Sequence, residues 1–354
     1  KHLRQLGAAF FLTAKMRRLL GSMVWAFLAA GSIGFLRPTC PSHGSHPMPR
    51  SDNGKPRHPV VSPRAALSHL SHVSHLRHLS LGHTLSASCL APTLLGLWRS
   101  EYGVSYGYGS AVAISAYLLW QSSTGLAAVH LLCLILYGVR LNLFLLWREL
   151  FIPRFREMRN RIEERSKEQG GRLKRLPFIV TCALLYLGLV APGVLVFKAA
   201  ARGAEFGSAF RLALLGMYVG WAVAAFGDLY KSIVKAKDGK DAIVTGGPYA
   251  LLRHPNYTGE QLLWTANFVA GLLAAATLKP KHGLPHPKVI WFTWLPLSVL
   301  GLLGIIFVLM QATAGLEKRQ REKYGEDEKY RSWFRKTWPG LALRSPRVTP
   351  ESSI

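Results

Sequence analysis

From about residue 101 onward, apolar stretches long enough to cross a bilayer dominate this chain, and lipid permits very few backbone structures. Six such stretches fall at about 103–120, 125–147, 176–197, 209–227, 261–278 and 289–311. A spanning helix needs ~20 largely apolar residues, and it satisfies its own backbone polar groups where no water can. The expected fold is all-α, a polytopic transmembrane helical bundle of about six spans. The first and fifth stretches are the least regular. Trp98, Tyr102, Trp120, Trp147, Tyr230, Trp264 and Trp291 stand near the ends, where amphipathic rings prefer the membrane interface.

Charge orients the bundle. The net charge is +26, a surplus that in other settings marks nucleic-acid binding. Here Lys and Arg flank the apolar helices, so the positive-inside pattern accounts for them and the expected partner is the lipid bilayer, not nucleic acid. The connection "RELFIPRFREMRNRIEERSKEQGGRLKR" carries ten basic residues and belongs on the cytosolic or stromal side. Counting spans puts Lys231, Lys235, Lys237, Lys240 and Arg253 on that same side, together with Lys318, Arg319, Arg321 and Lys323. The opposite connections are poorer in charge.

Residues 1–100 read as a presequence, 101–345 as the transmembrane domain and 346–354 as a tail. The first hundred hold twelve Lys/Arg and one acid, Asp52. From Met16, "MRRLLGSMVWAFLAAGSIGFL" has the basic start and apolar core of a signal peptide, and a Ser-, His-, Pro- and Arg-rich segment with transit-peptide composition follows. That pairing, with Phe35 at the junction, resembles the two-part plastid presequence of algae with secondary plastids. A plastid membrane is therefore the expected location, with the endoplasmic reticulum as the alternative. His69, His72, His75 and His78 recur at intervals of three but have no carboxylate nearby, so no metal is expected. Cys40, Cys89, Cys133 and Cys182 form no CxxC pair.

Three polar groups gather on the basic side. "GDLYKSIVK" puts Asp228, Lys231 and Lys235 on one helical face, where two ammonium groups suit a diphosphate or 2′-phosphate. Interfacial snorkelling is the alternative for these lysines. "GGPY" is a turn signal. "RHPNYTGE" then supplies Arg253, His254, Asn256, Tyr257 and Glu260 at the mouth of a membrane helix, expected to begin near Asn256 or Tyr257. Ionisable clusters at such positions are costly and mark functional sites. The third group, after the last span, holds Glu317 and Tyr324 in a basic amphipathic stretch that also reads as a solvated interfacial helix. Within the second span Arg140 is expected to line a polar cavity, with snorkelling as the alternative.

"VTGGPYALLRHPNYTGE", preceded by "DLYKSIVK" and followed by "LEKRQREKYGEDEKYRSW", resembles the C-terminal domain of steroid 5α-reductase-like membrane proteins. The likeness is closest to their uncharacterised branch, which shows a helix similar to "RLNLFLLWRE", and it covers about residues 101–340. Sterol reductases share the Arg-His-Pro-Asn-Tyr run. Isoprenylcysteine carboxyl methyltransferases share Arg-His-Pro-x-Tyr-x-Gly and bind S-adenosylmethionine with it. The resemblance implies NADPH as cofactor, with Lys231, Lys235 and Arg253 at phosphates and Asp228 on their face. It implies Asn256, Tyr257 and Glu260 towards the nicotinamide, His254 among the cofactor-binding residues, and Glu317 and Tyr324 at the adenosine or ribose. The chain departs from the sterol reductases at Ala314 and Gly315, where they place an arginine before the tail acid. "RSWFRKTWPGL" also replaces their usual ending.

The expected activity is reduction of a C=C bond in a lipophilic small-molecule substrate, with Tyr257, Glu260 and Arg140 as catalytic candidates. An S-adenosylmethionine-dependent methyltransferase is the alternative, but that cofactor has no phosphate for the basic group to meet. A non-enzymatic membrane subunit is the second alternative.

Overall fold

The computed structural model describes residues 80–168, 171–239, 241–280, 282 and 286–341. The chain divides into two units, and every described residue except 236–239 belongs to the second, Leu76–Lys235 with Asp241–Ile354. The second unit is all-helical among its described residues. Its helices are α1 (Leu81–Thr93), α2 (Leu95–Trp98), α3 (Tyr106–Trp120), α4 (Gly125–Phe151) and α5 (Pro153–Glu168). They continue with α6 (Leu176–Ala200), α7 (Ser208–Lys237, whose last two residues fall in the first unit), α8 (Pro255–Ala276), α9 (Pro287–Tyr324) and α10 (Glu328–Lys336).

Four segments are long and apolar enough to cross a membrane: α4, α6 with its preceding turn, α7 and α9. They match the second, third, fourth and sixth expected spans. The other two expected spans are helices as well. α3 has only 15 residues. α8 has 22, but Asn256, Glu260, Gln261 and Asn267 dilute its apolar character.

α6 is the central element. In its most apolar window 78% of the residues are buried, against 28–39% in the other three candidate spans. A helix apolar on every side must be surrounded, and α1, α3, α4, α8 and α9 all pack on it. Glycines bring the backbones close: a Cβ on Gly188 would lie 2.7 Å from the Leu297 carbonyl oxygen, and one on Gly271 would lie 2.6 Å from the Pro192 side chain. Lacking a hydrophobic drive between helices in lipid, membrane bundles rely on such small-residue contacts.

α1 falls within the first hundred residues. It lies inside the range read as presequence, yet Leu85 and Cys89 are buried in the main apolar core and Thr93 is buried too. Their spacing of four gives one helical stripe, and that stripe faces the main core. The signal-peptide, transit-peptide and polyhistidine readings lie outside the described residues, as do Cys40 and the 346–354 tail. Cys89, Cys133 and Cys182 are free and buried.

At the basic end, α5 docks through Arg159. It pairs with Glu149 at 2.8 Å and lies 5.0 Å from the Tyr102 and Tyr106 ring centres, and both phenols donate to Glu149. A smaller core of Val244, Tyr249, Tyr330 and Trp333 holds α10 against the loop before α8. Asp327 caps α10 by accepting from the Lys329 and Tyr330 amides.

Candidate functional site

The site begins with the contact between α7 and α8. A Cβ on Gly220 would lie 2.6 Å from the Gly259 oxygen and the Leu263 nitrogen, and one on Gly227 would lie 2.9 Å from the Asn256 nitrogen. This close packing brings Asp228 into electrostatic reach of both Tyr257 and Glu260.

The loop before α8 aims the rest. The "GGPY" signal becomes a 3-10 turn, Gly247–Ala250. Gly247 has φ +57°, and a Cβ there would meet the Tyr230 ring at 2.6 Å, so glycine is required on both counts. Pro255 opens α8, a position where its missing N–H costs nothing. The helix thus starts one residue before the earliest expected position, within ordinary boundary scatter.

Glu260 is buried, and its Oε2 accepts a 2.8 Å hydrogen bond from the Tyr137 hydroxyl of α4. The same hydroxyl lies 2.9 Å from that of Tyr108 on α3. A phenol has one proton, so Tyr137 donates to the carboxylate and accepts from Tyr108. Trp264 meets the Tyr137 ring edge-on at 5.2 Å, and Tyr186 stacks on Tyr108 at 5.1 Å. Arg140, one turn after Tyr137, pairs with Asp228 at 2.7 Å, and its charge also reaches Glu260. Its Nε and Nη2 are buried with no hydrogen-bond partner among the described residues.

One turn beyond Asp228, Lys231 sits among Lys235, Asp228, Arg148 and Arg319. Arg148 and Arg319 also reach the Tyr257 phenol. Among the described residues, Lys231, Arg148 and Arg319 have no carboxylate within ion-pair distance, while Asp228 is held by Arg140. Cations from α4, α7 and α9 therefore converge with little to answer them.

A family model described as a protein of unknown function (DUF1295) matches residues 104–337. The chain belongs to that family. A search of curated proteins and of solved structures found no match to it. Within this DUF1295 chain the matched region contains both the carboxylate–phenol chain and the cation group.

The remaining expected residues form a second cluster. The Arg253 guanidinium donates to Glu317 Oε1 at 2.9 Å and to the Thr337 carbonyl at 3.0 Å, and it stacks 3.9 Å from the Phe334 ring centre. His254 Nε2 lies 3.3 Å from the same Glu317 oxygen. Arg253 also donates its backbone N–H to the Trp338 carbonyl, and Leu252 bridges to Trp338. Arg253, His254 and Glu317 thus lace α8, α9 and the segment after α10 together, and any cofactor phosphate would share Arg253 with Glu317. Burial holds the His254 imidazole below its ordinary range, against the opposing pull of Glu317.

Tyr324 donates to the Asp241 carbonyl, Lys323 pairs with the Asp241 carboxylate, and Lys235 donates to the Ala242 carbonyl. These residues fasten the loop after α7. Asn256 stands in the first turn of α8. The structure gathers Arg140, Asp228, Lys231, Tyr257 and Glu260 in one place, links His254 to Tyr257 at 6.1 Å between ring centres, and has Lys235 and Tyr324 bonded to the loop after α7. Tyr108, Tyr137, Arg148 and Arg319 were not foreseen as site residues. Tyr137 had a signal, since it precedes Arg140 by three on one helical face.

Proposed function

We propose that this chain is a membrane-embedded, NADPH-dependent reductase of a C=C bond in a lipophilic substrate such as a steroid, sterol, enone lipid or isoprenoid. The proposal takes the bundle to have six spans, with α3 and α8 completing the four. It also accepts the steroid 5α-reductase-like resemblance of the "RHPNYTGE" segment. The observation that carries it is the adjacency, across Tyr257, of a buried carboxylate–phenol chain and a cation group with too few acids.

The residues fit an anionic dinucleotide. Lys231, Arg148 and Arg319 would hold its phosphates, and the unpartnered Nε and Nη2 of Arg140 offer further donors. NADPH, when bound, supplies the hydride. Tyr137 holds a proton 2.8 Å from Glu260 Oε2, the kind of positioned acid that the second hydrogen of a C=C reduction requires. Arg140 steadies the negative charge that a proton transfer leaves there. The rings of Tyr108, Tyr137, Tyr186 and Trp264 keep water out, which strengthens each of these interactions. A plastid membrane is the proposed location, with the endoplasmic reticulum as the alternative.

A methyltransferase using S-adenosylmethionine would leave Lys231 without a phosphate. A non-enzymatic subunit would give none of these polar residues a ligand. Calorimetry on the protein in detergent separates the readings. NADPH should bind more tightly than NADH, and S-adenosylmethionine should not bind. Lys231→Ala should weaken NADPH by roughly 1.5–3 kcal/mol, the worth of a charge-assisted contact, and the loss should shrink as salt rises. Tight S-adenosylmethionine binding without NADPH binding would overturn the proposal.

A further inference from the structure

Away from the Glu260 and Lys231 clusters, a cavity of about 540 Å³ opens where the first turn of α6 meets α5 and the Ser100–Gly103 turn. Its size lies within the ~300–1,000 Å³ typical of small-molecule sites. The walls are two-faced. Val104, Ile162, Phe178 and Ile179 are apolar, while Arg165 and Lys174 bring cations to the rim. Both cations are exposed and have no ion-pair partner among the described residues. The other charges of the lining are answered, Arg175 by Glu163 at 3.0 Å and Glu101 by Arg159 at 3.9 Å. The cavity therefore carries two spare positive charges.

Its depth narrows the choice of ligand. The candidate span that includes α6 starts at Leu173, so the cavity sits where an apolar segment enters lipid. Leu173 and Phe178 are exposed there at 74% and 57%. Basic pockets beside the entry of a membrane helix, on the positively charged side, suit anionic head groups. We propose that this cavity binds an anionic phospholipid, with its phosphate at Arg165 and Lys174 and its glycerol and acyl end against Ile162 and Phe178. Free phosphate would satisfy the rim but leave the apolar wall unused.

The test is native mass spectrometry of the full chain in neutral detergent, titrated with phosphatidylglycerol or phosphatidylcholine of matched chain length. One phosphatidylglycerol should be retained in preference to phosphatidylcholine. Arg165→Gln combined with Lys174→Gln should weaken that retention about thirtyfold, the worth of two cations near a lipid surface. Arg161→Gln combined with Arg172→Gln removes the same charge from exposed positions outside the cavity and should leave retention unchanged. All four positions are exposed, so both double variants should fold. Equal losses in the two would assign the attraction to the net charge of the segment and overturn the site. Equal retention of both lipids, or displacement by millimolar inorganic phosphate, would overturn the lipid.

Discussion

Tyr137 and Glu260 meet at 2.8 Å in the proposed catalytic core, and either can be removed conservatively. Tyr137→Phe leaves a buried carboxylate without its donor, at a cost of about 1–3 kcal/mol in stability. Under the reductase reading it should also slow turnover more than it raises KM. Glu260→Gln keeps shape and should change NADPH affinity little while lowering kcat. Steady-state kinetics of the two variants checks both, and unchanged kcat in each would remove the pair from the chemistry. His254 gives a pH signature. Its folded-state pKa lies below the ordinary 6.5, so unfolded chains take up the proton first as pH falls. Its contribution to stability is complete above about pH 6.5 and is lost as pH falls from there toward the folded value. Melting temperature in detergent should therefore drop from pH 7 to 5, and His254→Gln should flatten that slope.

Among the elements, α7 and α8 depend on glycines that permit contact. Gly259→Leu would push a side chain into the α7 backbone at Gly220 and Ala224. It should lower the melting temperature and weaken NADPH together, because Asp228 and Glu260 can no longer share a site. α1 makes the opposite kind of prediction, since it was read as leader. Leu85→Ala removes a fully buried side chain and should cost about 2–5 kcal/mol, measured by thermal denaturation in detergent. A cleaved leader would show no such loss. The four candidate spans were legible because lipid imposes length and apolarity on each helix locally. α1 was missed because "LGHTLSASCLAPT" has the Ser- and His-rich look of the leader before it, and its stripe of Leu85, Cys89 and Thr93 is short. "RHPNYTGE" stood out as a site because its charges are expensive at that depth. Which partners those charges meet was not legible: Tyr137 and Glu260 lie 123 residues apart, and no local pattern records a pairing at that distance.

In the molecule as a whole, polar pairs tie one end of the bundle while α6 ties its core. Arg253 and Glu317 link the start of α8 to α9, and Trp333 donates its indole N–H to the Tyr249 carbonyl at 2.6 Å. The Arg140–Asp228 pair is different, because its arginine lies inside a candidate membrane span that is made before its partner. They are 88 residues apart in the chain. At ribosomal speeds of about 5–20 residues per second, α4 waits several seconds in or beside the bilayer before Asp228 is synthesised. During that interval its arginine must reach the lipid surface or be sheltered by the insertion machinery. Asp228→Asn makes the wait permanent. The variant should then be lost during biogenesis, cleared by membrane quality control before it folds, and a pulse–chase measurement of its lifetime should show the defect before any assay of purified protein does.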